Sequence, residues 1–200
     1  MIPVSPVPEP ASFDAACRQP GNAWLQRNPG AERPHDYWSA FRADLAAGFG
    51  NRCGYSAMYE PSGTIDHYES HRDCPAKTYE WSNYRFAAQW LNSSKKKQRV
   101  IDPYVVEDGW FEIQLPSLQL MATDRIPLAL RPLVDQMKRS FPIFHDERIL
   151  KQRRQWYRLY QEGKLSLAGL SEVAPLIAQA EARRLALGAL PRRNDPRRLR

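Results

Sequence analysis

The chain has 200 residues, 42% apolar and 26% charged, a composition that excludes wholesale disorder and allows one domain with a real core. Its formal charge is +7, of which the last ten residues (PRRNDPRRLR) carry +4, so the body is mildly basic. That balance fits a polyanionic partner such as nucleic acid, or simply a solvated charged surface.

Three cysteines, Cys17, Cys53 and Cys74, do not make the even-numbered framework of a small secreted domain. The opening MIPVSPVPEP has neither the basic nor the apolar region of a signal peptide, and no uncharged apolar run is long enough to span a bilayer. The expected compartment is the cytoplasm, with no membrane partner.

In chain order, the first ten residues hold four prolines and predict an extended lead-in. A short helix is expected over 12–18 with Ser12 as cap, then a loop over 21–34 with Pro20, Pro29, Gly30 and Pro34 as breakers. From Asp36 to Ala47 the positions Trp38, Phe41 and Leu45 recur at helical spacing, Asp36 suits a cap, and Gly48 and Gly50 end the pattern.

Residues 51–103 lose that period. TIDH (64–67) and YRFAA (84–88) read as short strands separated by a polar loop of about sixteen residues, a length that in a compact domain signals function. QWLNSSKKK (89–97) reads as a short helix and VIDPYVVEDGWFEIQL (100–115) as one or two strands. Pro132 predicts a short or broken helix within 127–141. A stronger helix is expected over 146–163, started by Asp146 and Glu147 and stopped by Gly163. A last helix or pair should end at Gly188, followed by a basic tail over 191–200.

Asp66 directly precedes His67, in a chain with four histidines, and Asn92 follows 25 residues after that imidazole. Hydrolysis of a phosphodiester needs a base for water and positive charge for the phosphate and leaving oxygen. Histidine is the natural base near neutral pH, and a hard cation wants oxygen ligands such as one carboxylate and one amide. Neighbouring side chains on a strand face opposite ways, so Asp66 can ligate a metal while His67 faces the attacking water. Asn83 can pin the long loop through its amide. Lys95, a turn beyond Asn92, can meet a phosphate, with Lys97 and His71 as further contacts to nucleic acid, beside Tyr68.

DH (66–67), WSN (81–83), LNSSK (91–95) and IDP (101–103) together resemble the HNH endonuclease family. The flanking RCGYSAMY and YEWSNYR resemble a narrower group, the HNH nucleases of bacterial anti-phage loci, including the Septu and retron-associated nucleases. The resemblance covers about 40 residues and implies an α+β fold with a ββα-metal core over 51–103. A lead-in and helix (1–50) and a strand and helical extension (104–190) would flank that core in a single domain. It implies Asp66 and Asn92 as ligands of one Mg²⁺ or Mn²⁺, His67 as general base, Asn83 as the loop-fixing residue, DNA as the favoured substrate and an ATPase as possible partner. Many members bind a structural zinc on two CxxC knuckles. Here those positions hold Cys53 and Ser56, then Ala88 and Leu91, so no structural zinc is expected. The competing expectation is an inactive HNH-fold module that holds nucleic acid or a partner without cutting.

Overall fold

The centre of the computed structural model is a two-stranded antiparallel sheet, β1 (Thr64–His67) and β2 (Tyr84–Ala87), followed at once by helix α3 (Gln89–Lys95). Residues 1–96 and 98–189 are described. Lys97 and the tail over 191–200 lie outside the described residues. Among those described, seven α-helices and two two-stranded sheets give the expected α+β class.

The register pairs Asp66 with Arg85 and His67 with Tyr84. Strand alternation then sorts the side chains. Ile65, Tyr84 and Phe86 face an aromatic cluster with Phe13, Phe41 and Trp81. Asp66 and Arg85 face the other way, Asp66 towards α3 and Tyr55, Arg85 towards Asp102 and Tyr104.

The aromatic cluster is closed by the N-terminal helices. A single π-turn, Asp14–Arg18, runs into α1 (Gln19–Arg27), so helix occupies the first part of the expected loop over 21–34. Pro20 comes directly after Gln19, whose N–H closes the π-turn on the Asp14 carbonyl. Gly21 lies against the ring of Tyr79, where an added Cβ would come within 2.4 Å of Cγ. Ser12 supplies its backbone carbonyl to Ala16 (3.0 Å) instead of a side-chain cap. The helix expected over 36–47 is shorter: a 3₁₀ turn, Ser39–Phe41, leads into α2 (Arg42–Gly48), and Asp36 accepts the Ser39 N–H at 2.9 Å.

A second cluster of buried residues contains Tyr55, Leu91 and Ile101 together with the later elements. Residues 100–110 are not strand. Pro103 has no N–H for a ladder, and Asp102 caps a 3₁₀ turn, Pro103–Val105. The strand signal is met by β3 (Phe111–Gln114), whose partner β4 (Gln119–Ala122) the sequence reading did not contain. Pro132 starts rather than breaks α4 (Arg131–Ser140), because it falls in the first turn. Asp146 caps α5 (Glu147–Gln161), and Gly163 follows it at φ +69°. Ser166 caps α6 (Leu167–Val173), and α7 (Pro175–Ala189) continues one residue past the expected stop at Gly188. No helix among the described residues is long and apolar enough to cross a membrane.

Candidate metal and hydrolytic site

Asp66 is 3% exposed and receives two hydrogen bonds on one oxygen, Oδ2: one from the hydroxyl of Tyr55 and one from the Lys95 ammonium at 2.7 Å. Its other oxygen, Oδ1, has no hydrogen-bond partner among the described residues and is not sealed from solvent. Burial pushes the Asp66 carboxyl above the usual carboxylate range, with Lys95 pulling the other way.

Asn92 sits on α3, which packs against β1. Its Nδ2 donates to the Ile65 carbonyl at 3.3 Å, and since a carbonyl can only accept, that bond fixes the orientation of the amide. Asn92 Oδ1 is then left without a partner among the described residues, and it too is not sealed from solvent. The sheet and helix thus hold Asp66 and Asn92 each by one atom and leave one oxygen of each unused.

His67 shows the same pattern. Nε2 lies 2.9 Å from the Thr78 carbonyl, so it carries the proton and donates, which leaves the Nδ1 lone pair unengaged in the neutral ring. The ring stands edge-on between Trp38 (centroids 4.6 Å apart) and Tyr84 (5.0 Å). Burial lowers its pKa to about 4. It is a neutral acceptor over the whole physiological range.

Asn83 uses its entire amide on the long loop. Oδ1 accepts from Glu69 N (2.8 Å), and Nδ2 donates to the carbonyls of Glu69 and Lys77, both at 3.0 Å. Those bonds, with an ion pair between Lys77 and Glu69 at 2.6 Å, hold the sixteen-residue segment between the strands and so fix the Thr78 carbonyl under His67.

Lys95 is not where a phosphate contact is expected. It is 3% exposed, and its three N–H bonds go to Asp66 Oδ2, to the His67 carbonyl (3.0 Å) and to the Tyr68 carbonyl (2.9 Å). An ammonium has three donors and all three are used. The reason is electrostatic: a carboxylate buried this deeply needs a countercharge, and α3 delivers the nearest one.

His71 is half-buried, with Nε2 2.7 Å from the Glu32 carbonyl, and makes no hydrogen bond to His67 or Asp66. Cys53 is buried in the core and Cys74 half-buried. Among the described residues no three His, Cys, Asp or Glu side chains come together as a metal-binding group. Asp102, within IDP, forms a turn and also binds Arg85. It caps Tyr104 N (3.0 Å) and takes a two-pronged ion pair from buried Arg85, both contacts at 2.6 Å.

The sequence reading missed three contributors. Tyr55, within RCGYSAMY, holds Asp66; Trp38 covers His67; Arg85 lies opposite Asp66 and packs over Tyr104 (3.7 Å to the ring centroid). Tyr55 and Arg85 fall within the quoted flanks RCGYSAMY and YEWSNYR, whereas Trp38 carried no signal for this site. A cleft of about 510 Å³ opens beside the site, between Tyr68 and Cys74 on one wall and Lys96, Arg99 and Val100 on the other. A wider groove of about 850 Å³ follows the outer face of α3, away from Asp66.

No protein-family model, curated protein or solved structure matches the chain.

Proposed function

We propose that this chain is a metal-dependent HNH endonuclease of the ββα-metal type, hydrolysing phosphodiester bonds in nucleic acid, with DNA as the favoured substrate. One observation carries the reading: Asp66 Oδ1, Asn92 Oδ1 and His67 Nδ1 have no hydrogen-bond partner among the described residues and are not fully sealed from solvent, while the other polar atoms of those side chains are anchored. Unused acceptors on fixed side chains await something that brings positive charge or a proton.

The donor set, one carboxylate and one amide oxygen with no sulfur, suits Mg²⁺ or Mn²⁺, which fill their other positions with water and phosphate. When bound, such an ion supplies charge to the phosphate and to the departing 3′ oxygen. His67 accepts the proton of the attacking water on Nδ1, and the Thr78 carbonyl stabilises the imidazolium through Nε2–H. The water oxygen forms the new bond to phosphorus as the bond to the 3′ oxygen breaks. Asn83 keeps the Thr78 carbonyl in place. Lys96 and Arg99, exposed on the cleft wall, are the cations available to the phosphate backbone.

RCGYSAMY and YEWSNYR, the segments that resemble anti-phage HNH nucleases, supply Tyr55, Asn83 and Arg85, which build this site. On that resemblance we place the protein in the cytoplasm as effector of a defence system, with an ATPase as partner. Three free thiols suit a reducing compartment.

A second reading, an inactive HNH-fold binding module, is favoured by the Lys95 ammonium, which already neutralises Asp66. Incubating supercoiled plasmid with the protein in Mg²⁺ or EDTA, beside His67→Ala and Asn92→Ala, separates the two. Mg²⁺-dependent nicking lost in both variants supports the nuclease. Shifted plasmid mobility with no nicking in any sample supports the binding module.

A further inference from the structure

The charges around Asp66 cancel in pairs. Its carboxylate faces the Lys95 ammonium at 2.7 Å, with both side chains 4% exposed. Arg85, opposite Asp66 on β2, is matched by Asp102 at 2.6 Å, and Glu69 on the adjoining loop is matched by Lys77 at 2.6 Å. Asn92 brings a neutral oxygen. A divalent cation approaching the two free oxygens therefore meets no net negative charge, and it comes near a fixed ammonium that has no spare hydrogen to turn elsewhere.

We propose that Lys95 makes cation binding conditional on nucleic acid: the protein alone holds the divalent ion poorly, and the phosphate of a bound strand supplies the missing negative charge. This rests on the metal-site reading of Asp66 and Asn92. Lys95 is a positioning residue on this account. It pins Oδ2, leaves Oδ1 free, and sets the charge of the site without touching the substrate. The consequence is regulatory. A cation bound only together with phosphate keeps the site unloaded until substrate is present, and by linkage the cation and the oligonucleotide raise each other's affinity by the same factor.

The test is Mn²⁺ binding followed by electron paramagnetic resonance, on the full chain carrying His67→Ala so that a short duplex oligonucleotide survives. With Lys95 in place, adding the duplex should raise Mn²⁺ affinity about tenfold or more, since one unit of charge near a divalent ion is worth at least that. Lys95→Gln, which keeps a donor and loses the charge, should bind Mn²⁺ without duplex about tenfold more tightly and gain less from it. Lys95→Arg, which keeps the charge, should behave as the parent.

Equal Mn²⁺ affinity with and without duplex in the parent, or no gain in Lys95→Gln, overturns the inference and leaves the metal site standing. No Mn²⁺ bound under any condition removes the metal site itself, and the inference with it. If Lys95→Gln fails to fold by circular dichroism, the parent with and without duplex and Lys95→Arg still decide: Arg must preserve the coupling.

Discussion

Lys95 Nζ and Asp66 Oδ2 form a buried ion pair, 2.7 Å apart, that joins the last turn of α3 to the centre of β1. Tyr55 completes it, its hydroxyl raised far above the usual phenol range by burial and by the adjacent carboxylate. Removing one partner strands the other in a dry site, which typically costs about 3–5 kcal/mol. Lys95→Met and Asp66→Asn should each lose stability of that order in urea unfolding. The double variant should lose clearly less than the two together, because the stranded charge is then absent. Additive losses would mean that the pair contributes packing alone.

Asn83 gives a different balance, since its three bonds all go to loop backbone. Asn83→Ala leaves the Glu69 N–H and two carbonyls to find water, at a cost of about 2–3 kcal/mol. Hydrogen exchange should show the Glu69 amide losing protection while β2 stays protected. Under the proposed nuclease function, the loop carries the Thr78 carbonyl that orients His67, so cleavage should fall about 10²-fold, the typical penalty for a misplaced catalytic group. A loop that exchanges as slowly as in the parent would refute the anchoring role.

How much of this was legible follows from the range of each signal. β1, β2, α3, α5 and their punctuation were read from local pattern, since TIDH, YRFAA and the Asp146 cap carry their own information. Asn92 reaches the Ile65 carbonyl, next to Asp66, because α3 packs on β1, and Asn83 reaches the loop that follows β1. β4 was missed because QLMA has too few residues to show a period. α1 was missed because Pro20 read as a breaker and Gly21 as the start of a loop, whereas Pro20 follows the π-turn and Gly21 serves a contact with Tyr79, 58 residues away. The place of Lys95 was unreadable for the same reason: a lysine in a basic run gives no sign that a buried carboxylate lies within reach of its side chain.

Gly21 offers a test of that long-range contact in which two effects oppose. In an exposed helix, Gly→Ala stabilises by about 1 kcal/mol. Here the new methyl would lie 2.4 Å from Tyr79 Cγ, and Tyr79 is itself buried with its hydroxyl on the His35 carbonyl at 2.8 Å, so the ring has little room to yield. Overpacking of that kind costs about 1–3 kcal/mol and should win. Thermal unfolding of Gly21→Ala should begin lower than in the parent. A higher midpoint would mean that α1 and the Tyr79 loop separate readily.

Trp38 covers His67, and burial is the largest cause of the low imidazole pKa of about 4. Between pH 6.5, where the unfolded chain takes up this proton, and about 4, where the folded one does, the unfolded state holds the extra proton. Acid in that window therefore removes stability, and the contribution present above pH 6.5 is lost as pH falls towards 4. In EDTA the stability difference between the parent and His67→Asn should narrow over that range. Trp38→Ala opens the ring to water and should raise the His67 pKa towards 6.5, read from the imidazole carbon proton by NMR. Under the proposed nuclease function, the same variant should introduce an acid-side loss of cleavage near pH 6 that the parent lacks, because a larger share of His67 is then protonated and unable to accept from water. An unchanged titration in Trp38→Ala would assign the desolvation to Tyr84 and the loop instead.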